Sequence, residues 1–314
     1  MLGSTKARAR PGWRTAPPLL LLLLFLGCTA CSVRKLAIAK LGDALAESGA
    51  TFTSDDDPEL VEAALPFGLK LMESLLAESP EHRGLLVAAS GGFTRYAYAF
   101  VQTKADEIEE RDLATATTLR DRARRLYLRA RDYGVRGLET RHDDLGSALR
   151  RDPRRAVGEA DLRDVPSLYW TAVSWAGAIA LAKHDPQAVS DLPIVEALIE
   201  RALELDEAYD DGAIHVFMIA YETSRPAGAD VAATRAREHF RRAMELSGGA
   251  SASPLVALAE SVALAEQNRA EFVDLLQRAL AIDAAARPER RLENLIAQRR
   301  ARWLLERTDR LILG

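Results

Sequence analysis

The sequence predicts an all-α fold, a helical-repeat bundle of about eleven helices, and three observations predict it. Related stretches recur along the chain: RALELDEAY (201–209), RAMELSGGA (242–250) and RALAIDAAA (278–286), whose starts lie 41 and 36 residues apart, with SLLAESPEH (74–82) of the same shape. Ala123, Tyr127 and Ala130, and again Ala236, Phe240 and Ala243, set a small residue, an aromatic and a small residue on one helical face. Small residues there let two helices approach closely, while the ring fills the gap to the next pair. Alternating Val, Ile and Thr between hairpin signals is absent, so almost no sheet is expected. Helix pairs with a period of about 34 residues or slightly more are the sign of a tetratricopeptide-like (TPR-like) α-solenoid. The units are degenerate, because the usual Trp-Leu-Gly-Tyr pattern of the first helix is missing.

The elements follow in order. The first fourteen residues hold Lys6, Arg8, Arg10 and Arg14 and no acid, and an apolar run then goes from Leu19 to Leu26. Eight residues are too few to cross a hydrocarbon core, which takes about 20 in a helix. A basic start, a short apolar run and then small residues have the layout of a bacterial secretory signal. Leu26-Gly27-Cys28 resembles the lipobox of bacterial lipoproteins, in which the chain is cut before a cysteine whose sulfur carries a diacylglyceryl group. Cys28 is the expected anchor. Cys31, after Thr29-Ala30, is the alternative. Secretion without lipid and a Cys28–Cys31 disulfide are the competing readings. Two or three acyl chains hold a protein firmly where one holds marginally. Neither Thr29 nor Ser32 is the Asp that commonly retains lipoproteins in the inner membrane, so the outer membrane is favoured by analogy.

Residues 1–27 are therefore read as signal peptide, 28–54 as anchor, tether and first helix, and 55–314 as the helical domain. Loss of the basic segment takes the formal charge from −4 to −8, which disfavours nucleic acid as a partner. With Cys28 lipidated, only Cys31 remains and no disulfide framework exists. Helices are expected over 34–47, 58–78, 83–105, 112–139, 165–183, 192–206, 211–222, 230–247, 254–267, 269–282 and 289–312. Asp57-Pro58 and Ser253-Pro254 each put a capping side chain before a proline, and Gly248-Gly249 stops a helix. The stretch 140–163 reads as a long connection carrying a short helix.

The segment LYWTAVSWAGAIALA (168–182) has only Thr171 and Ser174 as polar members. A helix apolar on every side must be surrounded, by protein, by a partner subunit or by a greasy ligand. It is either a central core helix or one whose Tyr169, Trp170 and Trp175 line an apolar cavity or channel, which Phe217 and Tyr221 could share. The run RDRARRLYLRAR (120–131) is basic with Asp121 interleaved. It is either a solvated face or a docking patch, with Arg120, Arg124 and Arg131 as candidates, for an acidic partner.

Catalytic constellations are missing. The histidines at 82, 142, 184, 215 and 239 have no metal-ligand spacing, and no nucleophile elbow, phosphate loop or dinucleotide fingerprint occurs. Gly91-Gly92 breaks into a helical stretch without phosphate-loop context. SDDDP (54–58) lacks the Gly and Glu of a calcium loop and reads as a helix cap. No enzyme activity, metal or cofactor is expected.

Six blocks, DDDPELVEAALPFGLKLMESLL (55–76), RDRARRLYLRARDYGVRGLE (120–139), LYWTAVSWAGAIALA (168–182), RALELDEAYDDGAIHVFMIAY (201–221), AREHFRRAMELSGG (236–249) and NLIAQRRARWLL (294–305), closely resemble the T-component family of tripartite ATP-independent periplasmic (TRAP) transporters. The resemblance runs in order over roughly 33–314. The segment ETSRPAGADVAATR (222–235), read as a loop, departs from it. The resemblance implies a TPR-like periplasmic lipoprotein that forms homo-oligomers such as trimers with hydrophobic pores. It also implies association with the transporter's extracytoplasmic substrate-binding protein, and an apolar ligand such as a lipid-like carboxylate. The expected function is thus a lipid-anchored component that docks the substrate-binding protein and holds or passes a hydrophobic solute. The alternative is an outer-membrane adaptor that grips extended peptides or envelope-assembly proteins in a concave groove.

Overall fold

The structure, a computed structural model, describes Gly3 and residues 40–46, 49–225 and 228–313. The anchor candidates Cys28 and Cys31 and the signal segment lie outside the described residues. Among those described, the fold is all-α with no strand. After helical residues 40–46 and Gly49–Thr53 come ten main helices: α1 (Pro58–Glu78), α2 (Arg83–Tyr96), α3 (Leu113–Glu139), α4 (Val165–Ala180), α5 (Leu192–Leu205), α6 (Tyr209–Ser224), α7 (Ala229–Leu246), α8 (Ser253–Leu258), α9 (Arg269–Ala281) and α10 (Arg291–Leu305).

Local chemistry sets most of these ends. The Asp57 carboxylate accepts from the Leu60 N–H at 2.9 Å with Pro58 at the first helical position, and Asp112 and Asn268 cap α3 and α9 in the same way. Gly248 and Gly249 follow α7 at φ of 59° and 73°, a region that costs glycine little. Three expectations are corrected. Ser253 is not a cap: it lies inside α8 and donates to Glu293, while Ala252 occupies the cap position. The segment 222–235 is mostly helical, since α6 runs to Ser224 and α7 starts at Ala229. Gly91 and Gly92 do not break α2, which continues through a π-helical stretch (Ala97–Gln102) to Thr103–Ile108.

The connection 140–163 carries two short helices, Leu145–Arg151 and Pro153–Ala156, before a 3-10 turn at Leu162–Asp164. Asp164 is fully buried there. It accepts from Arg141 (2.7 Å), Arg83 (3.1 Å) and the Asp161 N–H (3.1 Å) and faces His142 Nε2 at 2.9 Å. Burial alone would raise its pKa, but His142, the Asp161 N–H and Arg141 together hold the carboxyl below its ordinary value.

Helices adjacent in sequence pack on one another: α1 on α2, α2 on α3, α3 on α4, α4 on α5, then α6 on α7 and α9 on α10. The Ala-aromatic-Ala spacing lies in these contacts, with Ala123, Ala130, Ala236 and Ala243 fully buried and Tyr127 and Phe240 packed beside them. Gly134 of α3 meets Thr171 of α4 and Ser90 of α2, and Gly177 of α4 meets the Tyr127 ring. The last helix returns to the first. Beyond apolar contacts of Leu292 and Ile296, Arg299 pairs with Glu107 at 3.1 Å, Arg300 with Asp106 at 3.3 Å and Glu260 at 2.7 Å, and Arg310 with Glu110.

Between α6 and α7, His215 Nδ1 stands 2.8 Å from His239 Nδ1, a hydrogen bond that needs a proton on only one of the two nitrogens. Burial lowers the pKa of His215, with His239 and Arg242 adding to it and Glu207 opposing, and burial lowers His239 against Glu222 and Glu238.

Two outcomes follow from this packing. Gly134→Ala drives a methyl group into Thr171 Oγ1 and should cost about 1–3 kcal/mol in chemical denaturation. Adding Thr171→Ala should make the double variant less unstable than the sum of the singles, and simple additivity would show that the two sites do not touch. The second concerns pH. Unfolded histidine titrates near about 6.5, so the unfolded chain takes up protons before the folded pair does. Stability is therefore fully present above that pH and falls as pH drops towards the folded pKa values, by up to about 1.4 kcal/mol per pH unit for each extra proton. Melting temperatures across that window should fall with acidification, and His239→Gln should flatten the slope.

Candidate functional site

Helix α4 is the element whose composition demands a surrounding, and it receives one from protein. Eleven of its side chains, from Val165 to Ile179, are buried against α2, α3 and α5. Thr171 and Ser174 turn their hydroxyls back to carbonyls of their own helix, donating to Ser167 O (2.6 Å) and Thr171 O (3.1 Å).

The five predicted aromatics share one apolar cluster but have three settings. Tyr169 and Trp170 meet edge-on at 4.8 Å between ring centres, Tyr209 stands 5.3 Å from Tyr169, and the Arg95 guanidinium lies 4.2 Å over Trp170. A Cβ on Gly91 would lie 3.0 Å from that indole, so glycine in α2 makes room for it. Tyr209 is held by a left-handed turn, Asp210 to Gly212, whose carboxylates accept from Arg287 and Arg290. Burial, reinforced by Asp210, pushes the Tyr209 phenol up to about 12 and the Tyr169 phenol further. Phe217 and Tyr221 stack at 5.4 Å at the other end of α6, beside Arg225 and its partners Glu196, Glu200 and Glu222.

Trp175 is set differently. It lies on the wall of an open cavity of about 230 Å³, the one of the five to do so. Arg124, Leu128 and Arg131 come from one face of α3, Trp175, Ala178 and Ile179 from α4, Asp185 to Asp191 from the following turn, and Arg150 from the short helix Leu145–Arg151. The Trp175 indole N–H donates to Asp191 at 3.1 Å, while the guanidiniums of Arg131 and Arg150 lie 5.0 and 5.9 Å from its ring. Arg124 reaches Asp185 only at 3.8 Å and Arg150 reaches Asp191 only at 3.7 Å. Arg124 Nε is buried with no hydrogen-bond partner among the described residues.

The structure therefore joins two of the three predicted docking arginines to one predicted ligand aromatic. Arg120 does not join them: it is held by Glu109 at 2.7 and 2.8 Å and by Asp106 at 3.0 Å. Sequence reasoning missed Arg150, Asp185 and Asp191. Asp185-Pro186 carried a visible cap signal, but nothing local marked Arg150. A second cavity, of about 310 Å³, opens on α7 and α9 beside Phe240, Leu258 and Leu275. Among the described residues, no group of His, Cys, Asp or Glu could hold a metal ion, and no helix is long and apolar enough to cross a membrane. The cavity offers cationic donors, an indole wall and an open mouth, an arrangement suited to binding.

An uncharacterized protein of Treponema pallidum (strain Nichols) is 29% identical over 295 residues, covering 88% of this chain and 91% of that protein. The model of the TRAP transporter T-component family matches residues 54–312, from just before α1 to beyond α10. The chain belongs to the TRAP transporter T-component family.

Proposed function

We propose that this component of a TRAP transport system is a periplasmic lipoprotein that docks the extracytoplasmic substrate-binding protein and holds or passes a hydrophobic solute. The observation that carries the reading is the family match across the whole helical array, in a transporter family and not an enzyme family. Lipid on Cys28, with Cys31 as the alternative, tethers the chain to the outer membrane. The TPR-like array works as a homo-oligomer, in the trimeric form that the family resemblance implies. The solute contact is assigned to Trp175, because that ring is the one of the five predicted aromatics that lines this cavity. An indole face and the neighbouring Ala178 and Ile179 give an apolar body somewhere to lie.

Two measurements test the reading. Cys28→Ser should move the protein from the membrane to the soluble periplasmic fraction while Cys31→Ser leaves it bound, and the opposite pattern would transfer the anchor to Cys31. In-cell cross-linking followed by mass spectrometry should recover a TRAP substrate-binding protein at comparable abundance. Recovery of envelope-assembly proteins without it would instead favour a peptide adaptor.

A further inference from the structure

We propose that the rim formed by Arg124, Arg131 and Arg150 around Trp175 is the docking surface for an acidic patch on the partner protein, which closes the cavity mouth with at least two carboxylates. The inference rests on the reading that this chain docks a substrate-binding protein, and it adds where and by what chemistry.

Charge complementarity carries the argument. Helix α3 holds seven arginines against three acids, in a chain whose net charge is −4. A basic face on an acidic protein steers an acidic partner to one side of the molecule. Which of those arginines can act depends on how far each is already satisfied. A guanidinium has five N–H donors in a planar fork. Arg120 spends its donors on Glu109 and Asp106 and is closed to a newcomer. Arg124 and Arg150 make no hydrogen bond among the described residues, and their ion pairs with Asp185 and Asp191 are long, at 3.8 and 3.7 Å. Arg131 bonds Asp132 on one edge at 2.7 and 2.9 Å, and its guanidinium lies 5.0 Å over the Trp175 ring.

The internal acids do a second job. Asp191 fixes the indole through its N–H, and Asp185 is occupied by the Gln187 N–H. Both therefore hold the rim in place without saturating it. Incoming carboxylates can take up the open donors in bidentate fashion, which is the stronger pairing. Tryptophan and arginine at the centre of a concave patch are also the residue types that dominate binding energy in protein interfaces. The partner's acids meet the rim while the apolar floor stays free for the solute, so docking and handover coincide at one place.

The test uses full-length protein and the purified substrate-binding protein of the same transporter, with affinity measured at about 0.05 and 0.2 M salt. Arg124→Glu and Arg150→Glu should each weaken binding by about tenfold or more and reduce its salt dependence. Arg278→Glu, a reversal on a distant exposed helix face, should change it by less than about twofold. Arg150→Gln, at a side chain 61% exposed, guards against a folding defect and should still lose affinity. If the wild type binds and the rim variants bind equally well, the inference is overturned while the docking function stands. If free glutamate at millimolar concentration displaces the partner from the wild type, the rim is a small-anion site and the inference is likewise overturned. If the wild type does not bind at all, the docking function itself fails and takes this surface with it.

Discussion

Helix α4 has no face that it can show to water, and much of the molecule is arranged to enclose it. Between Leu168 and Ala182 the only polar side chains are Thr171 and Ser174, and both bond their own backbone. Enclosure on three sides requires neighbours to come closer than ordinary side chains permit. Glycines supply that space: Gly91 under the Trp170 indole, Gly134 and Gly137 against Thr171 and Ser167, and Gly177 under the Tyr127 ring. Close approach on this scale leaves no slack, because protein interiors are packed at crystal-like density. The helix is thereby fixed in depth and rotation, and that fixes which of its buried aromatics lines the cavity. Trp170 packs against α2 and Tyr169, whereas Trp175, between one and two turns on and likewise buried, forms part of the wall of the cavity between α3 and the turn after α4.

A buried carboxylate sets the other end of the same helix. Asp164 stands just before α4 and draws in Arg83 from α2 and Arg141 and His142 from beyond α3. Such a charge is tolerable only because every direction it faces supplies a donor, and loss of one partner would leave the rest desolvated without compensation. Its role is orientation: it ties the starts of α2 and α4 to the end of α3. With its N-terminus pegged and its length packed against glycines, α4 carries Trp175 to a defined place relative to Arg124 and Arg131.

The legible part of this arrangement is the part governed by neighbours in sequence. The cap at Asp57 acts within three residues, so that helix start could be read from a single side chain, and Asp112 and Asn268 act over the same span. The Ala-aromatic-Ala spacing reported the faces that meet, since a repeat unit contacts chiefly its neighbours. Legibility ended where a residue answers to something distant. Gly91 looked like a helix breaker because its partner, Trp170, is 79 positions away. Ser253 looked like a cap because Glu293, which takes its hydroxyl, belongs to another helix. The return of α10 to the acidic segment 106–110 left no periodic trace at all. At the site, Trp175, Arg124 and Arg131 could each be picked out singly, yet their meeting, and the arrival of Arg150, required the connection 140–163 to be folded first.

That distinction changes how a charge run should be weighed. Counted in sequence, Arg120 and Arg124 are equivalent members of one basic stretch. In the fold, one is consumed and the other is open. The same accounting applies at the closing seam, where Arg299, Arg300 and Arg310 spend charge on Glu107, Asp106 and Glu110 to hold the ends of the array together. The exposed pair among these, Arg310 with Glu110, contributes little, about 0–1 kcal/mol. Paired charges neutralise one another, however, and an arginine so paired presents little field to an approaching protein. An acidic chain with many arginines can therefore have few functional cations. Those few are recognised by long, unmade ion pairs beside an aromatic surface, and among the residues lining this cavity Arg124 and Arg150 are the ones that meet that description.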